Sequence, residues 1–317
     1  MDAAAHAQPN LHSEPPDTPP PRRLARRYSW VTTLLVLAAV ILVLGPIAWP
    51  LWQAERTRWE MAHADNLLLA GDNEAFRAAV AELTSQNAEN AAIWLWAGRT
   101  FWQLGDNTTA LTHLERAIEL DPDLIEARHL HSDALLRLGK FAEAVASARQ
   151  SVERLCAQGH VAQANGLNSI AYAQAVGNLE LDEALKHADA AIQLDMRRSA
   201  YLDTRGFVLF RLSRQAAAAG NAAQAESQLA EALRELNAAV ELAQRETEED
   251  LEQVEAAARR MSDARMLDPL RAQVKRSLAV LHYHRGLALA AGGKATEAEA
   301  DFAKVRELGF APDEKLF

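Results

Sequence analysis

Residues 91–124 read AAIWLWAGRTFWQLGDNTTALTHLERAIELDPDL, and this stretch decides the fold. Counting from Gly98, Gly105 lies seven residues on, Ala110 twelve and Leu114 sixteen, with Ala117 and Pro122 completing the series. Apolar residues recur at helical spacing on both sides of Gly105, which predicts two amphipathic helices joined by a tight turn. Small side chains at Gly98 and Ala110 let those helices approach closely. With Trp94 set at 0°, Gly98 falls at about 40° and Phe101 at about −20°, so these three share the packed face. Leu95, Arg99 and Trp102 cluster between about 80° and 140°, while Trp96, near 200°, sits at the margin. The three tryptophans therefore take different roles: Trp94 packs, Trp102 is a candidate for binding, and Trp96 lies between.

The pattern returns 34 residues later in IEARHLHSDALLRLGKFAEAVASARQSVERL, with Ser132 for Gly98, Gly139 for Gly105 and Ala144 for Ala110. More worn copies follow. Residues 167–195 keep Ala171, Ala184 and Ala191, with two extra residues in the turn. Residues 200–214 supply a first helix with Gly206 at the close-packing point, and 281–312 restore Gly286, Gly293, Ala298 and Phe302. Residues 59–90 form a degenerate first member. Self-similarity at such a period is the signature of a repeat architecture.

The best copy, with Trp94, Ala97, Gly98, Phe101, Ala110, Leu114, Ala117 and Pro122, resembles the tetratricopeptide repeat. That resemblance implies an all-α, right-handed solenoid of helix pairs, about six copies long. It also implies a concave groove lined by the first helix of each pair, in which a peptide or partner helix lies. Residues 215–266 depart from the pattern. Leu229, Leu233, Leu236, Val240, Leu251 and Val254 form a helical stripe there, with Asn221 as a candidate N-cap, which predicts one or two long helices inserted into the solenoid. Asp268-Pro269 reads as a cap followed by the first helical residue of the next helix, and Asn107 as the N-cap of the second helix in the best copy.

Before the repeats, residues 1–28 form a Pro-rich, basic tail in which six of the chain's 11 prolines fall, a composition that predicts disorder. Trp30 to Trp52 then run 23 residues without a charge, roughly 35 Å of helix against a bilayer core of about 30 Å. Tyr28, Trp30, Trp49 and Trp52 stand where interfacial aromatics belong. The run is too long, and lacks a small-x-small site, for a cleaved signal peptide; it has no polar face for a buried soluble helix. The expectation is a transmembrane signal anchor over 29–52 in the lipid bilayer, its outer end loosened by Pro46 and Pro50, followed by the solenoid over 53–317. Arg22, Arg23, Arg26 and Arg27 precede the span, which predicts a cytoplasmic N-terminus and an extracytoplasmic C-terminal domain on a bacterial inner membrane.

After the anchor come 40 acidic and 29 basic side chains, a net charge of −11 that argues against nucleic acid as a partner. Cys156 is the single cysteine, so neither an intramolecular disulfide nor a cysteine-based zinc site is expected. His129/His131 and His282/His284 look like metal pairs, yet residues two apart on a helix point about 200° apart and cannot chelate one ion. GLALAAGGKAT lacks the first Gly and the final Ser or Thr of a phosphate loop. No catalytic residue, cofactor or metal site is expected, and no enzyme.

What remains is binding. Carrying the face of Leu95, Arg99 and Trp102 through the copies gives His129, Asp133 and Arg137, then Asn168 and Tyr172. Asp203, Phe207, Phe210 and Arg211 follow, with Tyr283 in the last copy. Aromatics mixed with arginine suit a protein-binding surface. The same side chains would also serve to pack against a neighbouring repeat or a capping helix. The favoured function is a scaffold or adaptor holding a partner protein in the groove. A chaperone-like secretion or envelope-biogenesis factor that holds client segments is the competing reading, and a non-catalytic subunit of an enzyme a third.

Overall fold

The computed structural model describes residues 29–157, 163–196, 198–259 and 267–312. The Pro-rich tail over 1–28 lies outside them. Among the described residues there are twelve α-helices and no strand. They are α1 (Ser29–Leu69), α2 (Asn73–Gln86), α3 (Ala91–Gln103), α4 (Asn107–Leu120), α5 (Ile125–Arg137) and α6 (Phe141–Ala157). The second half comprises α7 (Ala164–Val176), α8 (Leu181–Leu194), α9 (Ser199–Ala218), α10 (Ala222–Ala258), α11 (Asp268–Ala291) and α12 (Ala295–Glu307). The chain divides into two compact units, Met1–Ala62 and His63–Phe317.

The described part of the first unit is helical and apolar. It leaves Leu42 78% and Val43 65% exposed, with Trp30, Trp49 and Trp52 also uncovered. The helix is bent by 66° between Trp30–Leu44 and Ala48–Leu69. Pro46 lies in the break, where a missing N–H and a ring clash with the preceding turn are expected to kink a helix. No single described helix is long and apolar enough to cross a membrane; the two bent arms together meet the criteria of length and composition. Beyond the apolar run, Arg56 pairs with Glu60 and Arg58 with Glu55.

The second unit is a stack of helical hairpins. From α3 to α12 each helix packs on the next in sequence, and the first helices also touch one another, α3 on α5, α5 on α7, α7 on α9 and α9 on α11. The close-packing point has the same physics in every copy. A Cβ added to Gly98 would stand 2.7 Å from Leu114 Cγ, one on Gly206 2.7 Å from Leu236 Cγ, and one on Gly286 2.6 Å from Phe302 Cε1. Ser132 occupies this place in the second copy, and its hydroxyl donates to the Ala144 carbonyl at 3.0 Å, which satisfies a buried polar group. Ala171, fully buried, fills it in the third.

The turns are equally regular. Six of them place a glycine in the left-handed region, including Gly105 at φ 78° and Gly139 at 73°. Around Gly105, the Asp106 N–H donates to the Phe101 carbonyl and the Gly105 N–H to the Trp102 carbonyl, the paired bonds of a Schellman turn. The same pair recurs at Gly139, Gly220 and Gly293. In the third copy Asn178, at φ 53°, takes the left-handed place; asparagine tolerates this conformation best among non-glycine residues.

Two expected caps move by one residue. Asp106 caps α4, its carboxylate accepting from the Thr109 N–H at 3.2 Å, so Asn107 is the first helical residue. Likewise α11 begins at Asp268, with Leu267 in the cap position, and Asp268 pairs with Arg271 at 2.7 Å. Asp and Asn are nearly equivalent as caps, so sequence alone decides poorly between adjacent ones. The unusual stretch resolves into α9 extended to Ala218 and the 37-residue α10. Asn221 directly precedes α10, and Leu236 and Val240 from the expected stripe are buried. Arg205 ties the pair down, reaching Asp189 of α8 and both Glu231 and Glu235 of α10 within 2.9 Å.

If close approach at the small-residue points holds the hairpins together, Gly98→Val should destabilise the chain by about 2–3 kcal/mol through overpacking. Gly105→Ala should cost about 1 kcal/mol through its backbone conformation alone. Denaturant unfolding of both variants checks the ranking, and an unchanged midpoint for Gly98→Val would sink it.

Candidate protein-binding groove

The first helices of successive hairpins, α3, α5, α7 and α9, present side chains to a common hollow of about 320 Å³. Trp102 comes from α3, Asp133 and Arg137 from α5, Asn168 and Tyr172 from α7, and Asp203 from α9. Six of the sequence-predicted groove residues are thus brought together. The hollow is closed on another side by Gln273, Arg276 and Ser277 of α11. That helix has 24 residues against 13 in each of α3, α5 and α7, and its extra turns at the N-terminal end cover the hollow.

The candidates also separate by burial. Phe207 is fully buried, stacked on His284 with ring centroids 3.9 Å apart. Leu95 at 7% exposure, and Asp203 and Tyr283 at 3% and 5%, also belong to the interior. These four are not free surface for a large partner in this conformation; Tyr283, on α11 itself, packs with Phe302 and Val305 of α12, while Phe207 and Asp203 are covered by α11. The extended α11 packs on the face that an unoccupied groove would expose; His284, for example, donates from Nδ1 to Asp203 Oδ2 at 2.8 Å. Leu95 instead turns toward the cluster of Phe76, Val80 and Phe101. Arg99 pairs with Glu126 at 2.8 Å, and His129 is half-buried beside them, its basicity lowered by burial. Trp94 donates its indole N–H to the Ala88 carbonyl at 3.0 Å, and Trp96 hydrogen-bonds Asp65 and packs in the same cluster.

The groove stays open at the other end of α9 and α11. A cleft of about 820 Å³ is lined by Phe210, Arg211, Arg214, Tyr283 and Leu287, with Asn178 of the α7–α8 turn at its edge. Phe210 is 7% exposed and Tyr283 5%, so they form a floor rather than protruding anchors. Arg211 lies over the Phe207 ring at 5.0 Å and donates to the Val176 carbonyl at 3.3 Å, while Arg214 is exposed. Among the described residues no carboxylate lines this cleft. Sequence reasoning missed Arg214, Leu287, Gln273 and Arg276. The distance from Asp268-Pro269 to Gly293 was the available signal, since it makes α11 far longer than its counterparts.

The charged groups around the covered hollow perturb one another. Burial pushes the Asp133 carboxyl up to about 6, against the pull of Arg137. Burial likewise brings Arg137 down to about 10, with Arg276 adding to the effect. The Tyr172 hydroxyl is raised by burial and then by Asp203 and Asp133. His282 and His284 do not form a metal pair: His282 donates to Asp301 at 2.6 Å on one side and His284 to Asp203 on the other. No group of three or more His, Cys, Asp or Glu among the described residues is placed to hold a metal ion.

The family model for the tetratricopeptide repeat matches residues 91–134, the stretch with the most regular spacing. No curated protein matches the chain in sequence. Among solved structures, it is similar to MamA of Desulfovibrio magneticus RS-1, at 16% identity and a TM-score of 0.44, over 57% of this chain and 96% of that one. Yeast Tom70 is similar at 18% identity and a TM-score of 0.47, over 82% of this chain and 45% of that one. A tetratricopeptide repeat protein of Parabacteroides merdae is similar at 13% identity and a TM-score of 0.47, over 81% and 94%.

The Asp133 shift carries a pH signature. Its folded value of about 6 lies above the ordinary 3.8, so the folded chain holds the proton more tightly than the unfolded chain. Stability should therefore fall as pH rises through that window and stay lower above it. Asp133→Asn should remove this fall and stabilise the chain near pH 7 by on the order of 1 kcal/mol. Denaturant unfolding between about pH 4 and pH 7 reads both; parallel pH profiles for the variant and the parent would contradict the account.

Proposed function

We propose that the protein is a membrane-anchored scaffold that holds a partner protein through the open cleft at the C-terminal ends of α9 and α11. One observation carries this reading: over a buried floor of Phe210 and Tyr283 the cleft unites the apolar side chains of Leu287, Ala290 and Ala291 with Arg211 and Arg214, and no carboxylate among the described residues, in a chain of net charge −10. An apolar floor beside arginines, free of opposing charge, complements an extended or helical segment that carries both acidic and apolar residues. The repeat match over 91–134 supports a binding role for the hairpin architecture, since such stacks present surfaces built from several repeats. No covalent chemistry enters the mechanism. The partner gains by burying apolar side chains and by ion pairing at the rim.

The anchor forms the other half of the proposal. The uncharged run from Trp30 to Trp52, most of whose described side chains are exposed, is suited to lipid on composition, and the arginines before it favour a cytoplasmic N-terminus. The hairpin unit then stands on the extracytoplasmic side and confines its partner near the membrane surface.

Photo-crosslinkers at Arg214 and Ala291 in membranes should capture one or two proteins in fixed ratio, and Arg214→Glu should weaken capture at least tenfold. Capture of many unrelated proteins would instead favour a client-holding chaperone, and capture of none would end both readings. A reporter active only outside the cytoplasm, fused after Phe317, should be active; silence would reverse the orientation.

A further inference from the structure

The covered hollow has a chemistry that the scaffold reading does not use. Three buried side-chain atoms of its lining have no hydrogen-bond partner among the described residues: Trp102 Nε1, Asn168 Oδ1 and Asp203 Oδ1. The first is a donor and the other two are acceptors. Asp203 is only 3% exposed, and its second oxygen is already held by His284. Leaving such groups unsatisfied in an interior costs about 1–3 kcal/mol each. Two guanidiniums also line it, beside the Asp133 carboxyl and the Tyr172 ring: Arg137, which donates to the Trp102 carbonyl at 3.1 Å and lies 4.2 Å over its indole ring, and Arg276.

The polarity narrows the ligand. A simple anion would satisfy Trp102 and the arginines but leave the oxygens of Asn168 and Asp203 without a donor. A simple amine would satisfy those oxygens and leave the indole N–H bare. A molecule carrying both an ammonium and a carboxylate satisfies all of them. The volume of about 320 Å³ lies at the small end of ligand pockets, suited to an amino acid or a dipeptide. A second hollow of about 230 Å³ adjoins the first, sharing Trp102, Arg137, Gln273 and Arg276 as walls.

We propose that this hollow is a binding site for a small zwitterion, an α-amino acid or dipeptide. Its ammonium group is taken by Asp203 and Asn168, and its carboxylate by Arg276, Arg137 and the Trp102 indole N–H. The site is separate from the open cleft and does not depend on the scaffold reading.

Isothermal titration of the full chain in detergent micelles tests it, with the protein amino acids and dialanine as ligands and acetate and propylamine as half-ligands. At least one zwitterion should bind, each half-ligand should bind at least tenfold more weakly, and the bound zwitterion should raise the melting temperature. Asp203→Asn and Arg276→Gln should each weaken binding at least tenfold. Asp203→Asn also disturbs the bond to His284, so Arg276→Gln, on a partly exposed stretch of α11, decides the matter if the first variant misfolds. The absence of heat with every zwitterion would mean that the hollow holds only solvent and would overturn the site. So would acetate or propylamine binding as tightly as the best zwitterion, or a folded Arg276→Gln variant with unchanged affinity.

Discussion

Close approach of two helices at a point with almost no side chain is the constraint on which the second unit is built. At Gly98, Gly206 and Gly286 even a methyl group would collide with a leucine or a phenylalanine of the facing helix. Ser132 meets the same demand by donating into the opposite backbone, and Ala171 by its size alone. Once the two axes are fixed at that distance, the turn has little choice. A left-handed residue closed by paired backbone bonds reverses the chain in the space available, and glycine supplies that residue at least cost. Repetition of this joint aligns the first helices side by side, and any groove is a consequence of that alignment.

The groove is then partly occupied by its own chain. Helix α11 starts well before the point where its counterparts start, and its added turns cover the face shared by α3, α5, α7 and α9. Two environments result from one surface. Under α11 lies a polar hollow in which Asp133, Asp203, Arg137 and Arg276 act on Tyr172. Beyond its reach lies an open cleft with arginines at the rim. The same positions in successive repeats thus acquire different chemistry because of one difference in helix length.

The parts of the fold legible in the sequence were those governed by local rules. Gly105 and Gly139 announced their turns, and the 34-residue spacing marked Ser132 and Ala144 as the small-residue points of the second copy, where the Ser132 hydroxyl donates to the Ala144 carbonyl. Of the residues that helical angles grouped on one face, Trp102, Asp133, Arg137, Asn168, Tyr172 and Asp203 line one space. The angles could not say what would enter that space. Phe207 and Tyr283 share the periodicity expected of a groove, but Phe207 is buried under His284 of α11, which is remote in sequence from α3 and α5, and Tyr283, on α11, is buried against Phe302 and Val305 of α12. Arg276 was missed for the same reason: it lies outside the repeat pattern, in turns that exist only because α11 is long.

That extra length also bears on how the chain unfolds. A stack in which each hairpin meets only its neighbours behaves as a one-dimensional array, able to fray from either end while the middle stays intact. Here the start of α11 lines one hollow together with Trp102 of α3 and Gly105 of the α3–α4 turn, hairpins away along the chain. The early hairpins and the start of α11 thus border a common space, so that loosening either one changes the surroundings of the other. Melting should then involve distant repeats together, and the segment at 268–277 acts as the clasp that sets this cooperativity.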